Sequence, residues 1–250
     1  MGYTIAVAGK GGTGKTTISA LLVRLLKEKK LGSILAVDAD PNSNLGEALG
    51  VQINDTVGGI LDKIAVNPES VPQGMTKDRF LEYQVQSAVY EGQGFDLLSM
   101  GRPEGSGCYC YVNNVLRNVI GKLVNDYDYI VIDNEAGLEH LSRRTTRSAD
   151  VLLAVSDATV VGLKAAGRIA EIVKELNIKI KRELLLINRW DQDIENEKIK
   201  KLNFEYIGNV PVDKEISAIS LNGNSVWELT ANAIGIDALR KIGEKIWQTN

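Results

Sequence analysis

The sequence is poor in cysteine and histidine and has no long apolar run. Its 250 residues include two cysteines and one histidine, so it has no histidine tract of the kind that stores metal ions. No apolar stretch is long enough to cross a bilayer, and no charged segment followed by an apolar stretch marks a signal peptide. These absences predict a cytoplasmic protein with reduced thiols and no membrane partner.

The charge balance argues against a further class of partner. The formal net charge is −3 and the isoelectric point is about 5.4, so the charge does not favour a nucleic-acid partner. Hydrophobic residues make up 44% of the chain and charged residues 24%, which is ordinary for a globular protein. Because no linker, repeat or low-complexity segment interrupts the chain, we expect a single domain over residues 1–250.

Apolar strands and amphipathic helices alternate along the chain. Continuously apolar segments such as 129–133 and 151–155 indicate buried parallel strands. Further strands are predicted at 3–8, 33–38, 95–100, 183–188 and 206–210, and helices from the end of the first loop to near residue 32 and at 55–64, 77–88, 111–124, 161–176 and 236–247. The pattern predicts an α/β fold, a single doubly wound, mostly parallel sheet with helices on both faces. Ligands of such sheets bind at the carboxyl ends of the strands.

A glycine-rich loop separates the first strand from the first helix. It reads Gly9-Lys10-Gly11-Gly12-Thr13-Gly14-Lys15-Thr16-Thr17 and fits the pattern G-x-x-x-x-G-K-[ST] in its required strand–loop–helix setting. Its glycines let several backbone N–H groups point at one anion, and the helix adds its positive N-terminal end. We therefore expect Lys15 to reach the β- and γ-phosphates of a nucleotide and the Thr16 hydroxyl to bind Mg²⁺. Lys10 is additional to the minimal pattern.

Two other predicted strands end in carboxylates. Asp38 and Asp40 close the second strand, where the following proline alone would indicate a simple turn. Beside a phosphate loop, we expect Asp38 to hold Mg²⁺ and Asp40 to position the attacking water. Asp133 ends a buried strand and is expected to hold Mg²⁺ indirectly, through its other ligands. Glu135 is interpreted as an ordinary loop carboxylate.

The loop with its early lysine resembles the phosphate loop of the MinD/ParA and nitrogenase iron-protein group of dimeric ATPases. In that group the early lysine crosses the dimer interface to the partner's phosphates, and Lys10 takes that position here. The resemblance implies a homodimer that binds Mg²⁺ with ATP or ADP and hydrolyses ATP slowly. It implies catalytic positions at Lys10, Lys15, Asp40 and Asp133, and adenine-binding elements at Asn188 and Pro211-Val212-Asp213.

Two segments resemble more narrowly the CooC-type ATPases, which assist nickel insertion into carbon monoxide dehydrogenase, and their relative for acetyl-CoA synthase. The first segment, residues 107–114, contains Cys108 and Cys110, and the second covers residues 133–140. This resemblance implies a dimeric ATPase with a metal site made by the Cys-x-Cys pairs. Its partner would be the apoprotein of one of these nickel enzymes.

The chemistry of the cysteine pair is compatible with a shared metal site. Two thiolates two residues apart bind one soft metal ion but leave it short of ligands. A symmetric dimer would bring a second pair of Cys108 and Cys110 and complete a four-thiolate site for Ni²⁺ or Zn²⁺. The alternative is that both are small apolar residues or an adventitious redox pair. The flanking glycines and tyrosines do not look like core, and His140 is interpreted as a structural residue rather than a ligand.

Other functions are compatible with parts of the sequence. A positioning ATPase of the MinD or ParA kind would act at a membrane or partner surface. The last predicted helix is amphipathic and basic, a pattern that also occurs in membrane-binding helices. We interpret it as a final core helix. A redox protein like the nitrogenase iron protein needs a further cysteine after the third motif, and residues 134–141 contain none.

A guanine-binding site is a further alternative. Residues 188–191 resemble the guanine-reading Asn-Lys-x-Asp pattern of GTPases. Arg189 replaces the lysine of that pattern, and Pro211 fits the adenine-binding group, so ATP is the expected nucleotide.

Overall fold

A computed structural model describes residues 2–101, 121–135, 148–192 and 196–247 of the chain. The strands are β1 (Tyr3–Ala8), β2 (Ile34–Asp38), β3 (Tyr90–Glu91), β4 (Asp96–Ser99), β5 (Tyr129–Asp133), β6 (Ser148–Ser156), β7 (Lys179–Asn188) and β8 (Glu205–Val210). Over these ranges they form one eight-stranded sheet in the order β3-β4-β2-β5-β1-β6-β7-β8. Neighbouring strands pair in parallel except β3 and β4, which are antiparallel.

Helices cover both faces of this sheet. In the described ranges they are α1 (Lys15–Glu28), α2 (Asn44–Ala48), α3 (Val57–Val66), α4 (Lys77–Ser87), α5 (Val160–Glu175), α6 (Asn196–Lys200), α7 (Lys214–Asn222) and α8 (Ile234–Ile246). Apolar side chains of α1 and α8 form the core on one face, and those of α3, α4 and α5 form the core on the other. The predicted fold class, a mostly parallel sheet between two helical layers, is confirmed.

The burial of β1 explains why residues 5–8 of this strand are all apolar. Ile5 and Val7 belong to the core on the α1 side, whereas Ala6 and Ala8 belong to the core on the α5 side. Successive side chains of a strand point to opposite faces, so a strand covered on both faces is apolar over most of its length. The small alanines are buried completely.

The parallel pairing brings the ends of distant strands to one edge. Ala8, Asp38, Asp133, Asn188 and Val210 end β1, β2, β5, β7 and β8. The register aligns Asp38 with Asp133 and Asp133 with Val7. The residues singled out by the sequence patterns on these strands therefore lie along a single carboxyl edge.

Several element boundaries differ from those expected. The first helix ends at Glu28 rather than near residue 32, and β6 and β7 begin three and four residues earlier than predicted. The short helices α2, α6 and α7 and the antiparallel strand β3 were not predicted from the sequence. The helix predicted over 111–124 lies mostly outside the described residues, and residues 121–123 are helical. Among the helices that can be described, none combines the length and apolar composition needed to cross a membrane.

Candidate functional site

The glycine-rich loop between β1 and α1 has the backbone that its sequence requires. Gly12 and Gly14 have φ angles of 81° and 89°, in the left-handed region that favours glycine. A Cβ atom at Gly9 would lie 2.2 Å from the carbonyl oxygen of Val155, so this position admits no side chain. A Cβ atom at Gly14 would lie 2.4 Å from the side-chain nitrogen of Asn188. The glycines are thus needed for backbone conformation and for close packing on β6 and β7.

The two lysines of the loop differ in their surroundings. Lys15 is buried, and its ammonium lies 3.5 Å from the carbonyl oxygen of Lys10. The same carbonyl accepts hydrogen bonds from the backbone and the hydroxyl of Thr13, the latter at 2.8 Å. Lys10 itself is exposed and forms no ion pair with the described residues. Lys15 is therefore held inside the loop, whereas Lys10 is exposed to solvent.

Asp38 is a fully buried carboxylate at the end of β2. Its Oδ2 accepts the backbone N–H of Leu45 at 2.8 Å, and its Oδ1 accepts that of Asp40 at 3.2 Å. Burial nevertheless raises the pKa of Asp38 to about 7, because two backbone donors do not replace the lost hydration of a charge and Asp133 lies nearby. The carboxylate thus lacks a compensating cation among the described side chains.

Asp133 lies opposite Asp38 in the neighbouring strand. Its Oδ1 accepts the Ser19 hydroxyl at 3.0 Å, and the Thr16 side chain lies close enough to favour its ionised form. Burial raises the pKa of Asp133 to about 6, although these two hydroxyls and the charge of Lys15 favour its ionised form. Thr16, predicted to bind Mg²⁺, is therefore beside the acid predicted to support that ion.

The loop after β2 holds Asp40 in a turn. Its Oδ1 accepts the backbone and side-chain N–H groups of Asn42 at 2.9 and 3.0 Å, and its carbonyl accepts the N–H of Ser43. The hydroxyl of Ser43, a residue with φ of 53°, lies 2.8 Å from that of Ser99 at the end of β4. Asp40 therefore lies in a turn, as the alternative interpretation of its sequence predicted. The carboxylate of Asp40 is half-buried at the edge of the site.

Asn188 and Arg189 connect the end of β7 to the phosphate loop. The side-chain amide of Asn188 donates to the carbonyl of Thr13 at 2.8 Å, and its oxygen accepts the N–H of Arg189. Arg189 has a φ of 58° and donates from its guanidinium to the carbonyl of Gly12 at 3.2 Å. These contacts support the loop from the side of β7. No sequence motif indicated this role for Arg189.

Pro211, Val212 and Asp213 form the turn between β8 and the unpredicted helix α7. The carboxylate of Asp213 caps this helix, accepting N–H groups of Glu215 and Ile216, and its second oxygen accepts the N–H of Gly235. Val212 is half exposed, with a relative exposure of 49%. Asp213 thus has a positioning role in the turn, since both of its oxygens are already used by backbone donors.

A cavity of about 290 Å³ joins the phosphate loop to this turn. Its walls are mixed apolar and polar and comprise Thr17, Ile18, Leu21, Asn188, Arg189, Val210, Pro211, Asp213, Ile216, Ser217, Ser220 and Leu221. The volume is in the range of small-molecule sites. The predicted residues Thr17, Asn188, Pro211 and Asp213 are therefore brought together, and α7 supplies further wall residues that no sequence motif indicated.

The predicted soft-metal ligands cannot be placed. Cys108, Cys110 and His140 lie outside the described residues. Over the ranges that are described, no cluster of three or more histidine, cysteine, aspartate or glutamate side chains is arranged to hold a metal ion. The site formed by the described residues is thus a phosphate loop, two adjacent buried acids and an adjoining cavity.

The fold and this site are those of a known class of nucleotide-binding domain. The chain belongs to the CobQ/CobB/MinD/ParA family of nucleotide-binding domains, named CbiA, whose model matches residues 4–226. It is therefore a P-loop protein of the MinD/ParA type.

Individual relatives cover nearly the whole chain. An uncharacterized ATP-binding protein of Methanocaldococcus jannaschii is 45% identical over 247 residues, 97% of each chain. The carbon monoxide dehydrogenase accessory protein CooC of Rhodospirillum rubrum is 29% identical over 271 aligned positions, 96% of this chain and 97% of CooC. Among solved structures, the cell division ATPase MinD of Pyrococcus furiosus is similar with a TM-score of 0.72 and 26% identity over 98% of each chain.

Proposed function

We propose that the protein is a dimeric ATPase that assists nickel insertion into carbon monoxide dehydrogenase or acetyl-CoA synthase in the cytoplasm. The observation that carries the ATPase part is the phosphate loop beside two buried acids on adjacent strands. Lys15 would bind the phosphates, and the backbone N–H groups of residues 11–16 would surround them. Asp40 would position the attacking water at the edge of the site.

The surroundings of Asp38 and Asp133 fit a divalent cation. Both carboxylates are buried, and this burial raises their pKa values because it removes the hydration of the charged form. Thr16 and Asp38 would hold Mg²⁺, with Asp133 orienting the Thr16 hydroxyl. When bound, Mg²⁺ would neutralise phosphate charge, which is its usual contribution to phosphoryl transfer.

The cavity next to the loop supports ATP rather than GTP. Guanine presents N–H donors that GTPases bind with a carboxylate, the role of the aspartate in the Asn-Lys-x-Asp pattern. Asp213 is the one acid among the cavity residues, and both of its oxygens already accept backbone N–H groups. Asp191 accepts the N–H of Val212 and is not part of the cavity wall. The described walls therefore offer no unoccupied carboxylate to a guanine base.

Dimerisation would complete the site. Lys10 is exposed at the loop and forms no ion pair with the described residues, as expected of a lysine that reaches the phosphates of a second protomer. A cation supplied in this way stabilises transition-state charge in the manner of an arginine finger.

The nickel part rests on the cysteine pair and on the relation to CooC. Cys108 and Cys110 follow β4, which ends beside Asp38 at the carboxyl edge of the sheet. The chain therefore ends β4 at the edge that carries the phosphate loop, seven residues or more before the cysteine pair in the sequence. We infer that two such pairs in a dimer bind one Ni²⁺ or Zn²⁺ as cargo through four thiolates.

A positioning ATPase of the MinD kind is the alternative, supported by the similarity to MinD. Its membrane-bound form would need an exposed apolar helix face. In α8, however, Leu239, Ile242 and Ile246 are buried in the core against α1 and β8, as expected for a final core helix. Flotation with anionic lipid vesicles in the presence of ATP tests this alternative.

The ATPase assignment is tested with two variants. Lys15→Ala should lose nucleotide binding, because the buried ammonium that anchors the phosphates is removed. Asp40→Asn should bind Mg-ATP and lose hydrolysis, because it changes water positioning and not the phosphate loop. Calorimetric titration and phosphate release measure the two properties. Turnover at the wild-type rate in both variants would refute the assignment.

The metal assignment is tested by anaerobic metal analysis combined with mass determination, with and without ATP. We expect one metal ion per dimer, with Ni²⁺ giving thiolate-to-metal absorption. Replacing Cys108 and Cys110 by serine should remove the metal and leave ATP binding intact. One metal per monomer, or metal retained in the double variant, would place the site elsewhere.

A further inference from the structure

A second, smaller cavity adjoins the cavity next to the phosphate loop. It has a volume of about 180 Å³ and shares Thr17 and Ser220 with the larger one. Its other walls come from α2, from the end of α7 and from the residues that follow: Asn44, Glu47, Ala48, Ile219, Gly223, Asn224 and Val226. The two cavities therefore meet at Thr17 and Ser220.

The two cavities differ in chemistry. The larger cavity has six apolar side chains in its wall, which suits a base: Ile18, Leu21, Val210, Pro211, Ile216 and Leu221. The smaller cavity carries hydroxyl, amide and carboxylate groups from Thr17, Ser220, Asn224 and Glu47, and its described walls include no lysine or arginine. A phosphate group would have no cation to bind there. An ionised carboxylate only accepts hydrogen bonds, so the ligand group opposite Glu47 must donate them.

We propose that the smaller cavity is the ribose subsite of the nucleotide and that Glu47 accepts a hydrogen bond from a ribose hydroxyl. The inference rests on the proposed nucleotide site, in which the base occupies the larger cavity and the phosphates lie on the loop. The sugar joins these two parts, and Thr17, shared by both cavities, directly follows the loop residue Thr16. An acidic side chain that binds ribose hydroxyls is also how dinucleotide-binding folds recognise this sugar.

The walls around Glu47 are held in place by contacts on both sides. At the start of α2 the N–H of Leu45 is bound by Asp38, and after its end the carbonyl of Leu49 accepts the indole N–H of Trp227 at 2.8 Å. On the opposite wall the amide nitrogen of Asn224 donates to Glu228 at 2.7 Å. This bond fixes the amide and leaves its oxygen as an acceptor for a second hydroxyl. These contacts position the backbone of α2 and the amide of Asn224, while the side chains of Glu47 and Asn224 remain accessible from solvent.

The experiment compares nucleotides that differ in one hydroxyl. Wild type and Glu47→Gln are titrated by calorimetry with ATP, 2′-deoxyATP and 3′-deoxyATP in the presence of Mg²⁺. In wild type, we expect removal of the hydroxyl that Glu47 binds to weaken binding about 10-fold, the size of a charge-assisted hydrogen bond. Glu47→Gln should weaken ATP binding by a similar factor and leave binding of that deoxy analogue unchanged.

Control variants separate recognition from structural support. Glu69→Gln changes an exposed acid outside both cavities and should retain wild-type discrimination. Glu47→Asp keeps the carboxylate and should restore part of the discrimination. If Glu47 only supported α2 and through it Asp38, Glu47→Gln would weaken all three nucleotides equally and lower the turnover number with each. In the proposed role, it raises KM for ATP and leaves the turnover number nearly unchanged.

The outcomes also distinguish this inference from the proposed function. Equal affinity of wild type for ATP and both deoxy analogues, or an equal loss for all three in Glu47→Gln, would overturn the ribose subsite and leave the ATPase assignment intact. Absence of binding of every nucleotide to wild type would overturn the ATPase assignment and the ribose subsite together.

Discussion

The buried acids Asp38 and Asp133 predict an unusual pH dependence of stability in the nucleotide-free and metal-free protein. Their pKa values are raised from an ordinary value of 3.8 to about 7 and about 6. Between pH 4 and pH 7 the folded protein therefore binds more protons than the unfolded chain. Because stability falls with rising pH wherever the folded state binds more protons, the free energy of unfolding should decrease through this window and level off above pH 7.

The magnitude follows from the two pKa values. Between pH 5.5 and pH 8, Asp38 contributes a loss of about 2 kcal/mol and Asp133 a loss of about 1 kcal/mol. The expected fall in the free energy of unfolding is thus about 3 kcal/mol. For a chain of this length, it corresponds to a decrease in melting temperature of roughly 6–12 °C. Few other groups titrate in this range, because the chain contains one histidine.

The assay is thermal or urea unfolding in EDTA, at constant ionic strength, at steps between pH 5.5 and pH 8. In Asp38→Asn the fall should shrink to about 1 kcal/mol, because the asparagine does not titrate. His140→Gln is the matched control, because the difference between its slope and that of wild type gives the share of the histidine. Stability that is flat or increases with pH in wild type, or an unchanged slope in Asp38→Asn, would show that these carboxylates do not titrate with raised pKa values in the folded protein.

Two further substitutions test the loop. Lys10→Ala should bind ATP with wild-type affinity and hydrolyse it at least tenfold more slowly, because in the proposed dimer Lys10 would act on the partner's phosphates. Lys77→Ala on α4 should hydrolyse ATP normally. A fully active Lys10→Ala protein in dilute solution would contradict the proposed role of Lys10. Gly14→Ala should lower stability by about 2–4 kcal/mol in urea unfolding without nucleotide, since its φ is 89° and the new Cβ atom would lie 2.4 Å from Asn188. Gly11→Ala, with open space around its Cβ position, should leave stability nearly unchanged, and equal losses in the two variants would argue against this packing.

The fold class could be predicted because the strands of the central sheet are covered on both faces. Such strands are continuously apolar, as in Tyr129–Asp133, whose bounds were predicted correctly. Because strands alternate with helices, and crossovers between parallel strands are right-handed, only a few sheet topologies are possible for this chain. The edge strand β3 was missed because it consists of two exposed residues, and its pairing with β4 depends on the neighbouring strand rather than on its own sequence.

The helix α7 was missed although it carries signals at both ends. Asp213 is its N-cap residue, and Gly223 follows its last residue with a φ of 68°, the usual pattern of a helix stop. The intervening residues include none that is fully buried, so the helix lacks the apolar periodicity on which the prediction relied. Several side chains of α7 line the two cavities instead of being buried in the core. The site therefore uses the helix that the sequence pattern identifies least well.

The residues of the candidate site fall into two groups according to what fixes them. Lys15, Thr16 and the glycines are set by local backbone geometry, so a short motif identifies them. Ser19 and Arg189 belong to no such motif: Ser19 is placed by the contact of α1 with β5, and Arg189 by the packing of β7 against the loop. Their positions depend on which strands are neighbours in the sheet. Sequence patterns therefore find the groups that would touch phosphate, and the structure is needed to find those that hold the acids and the loop in place.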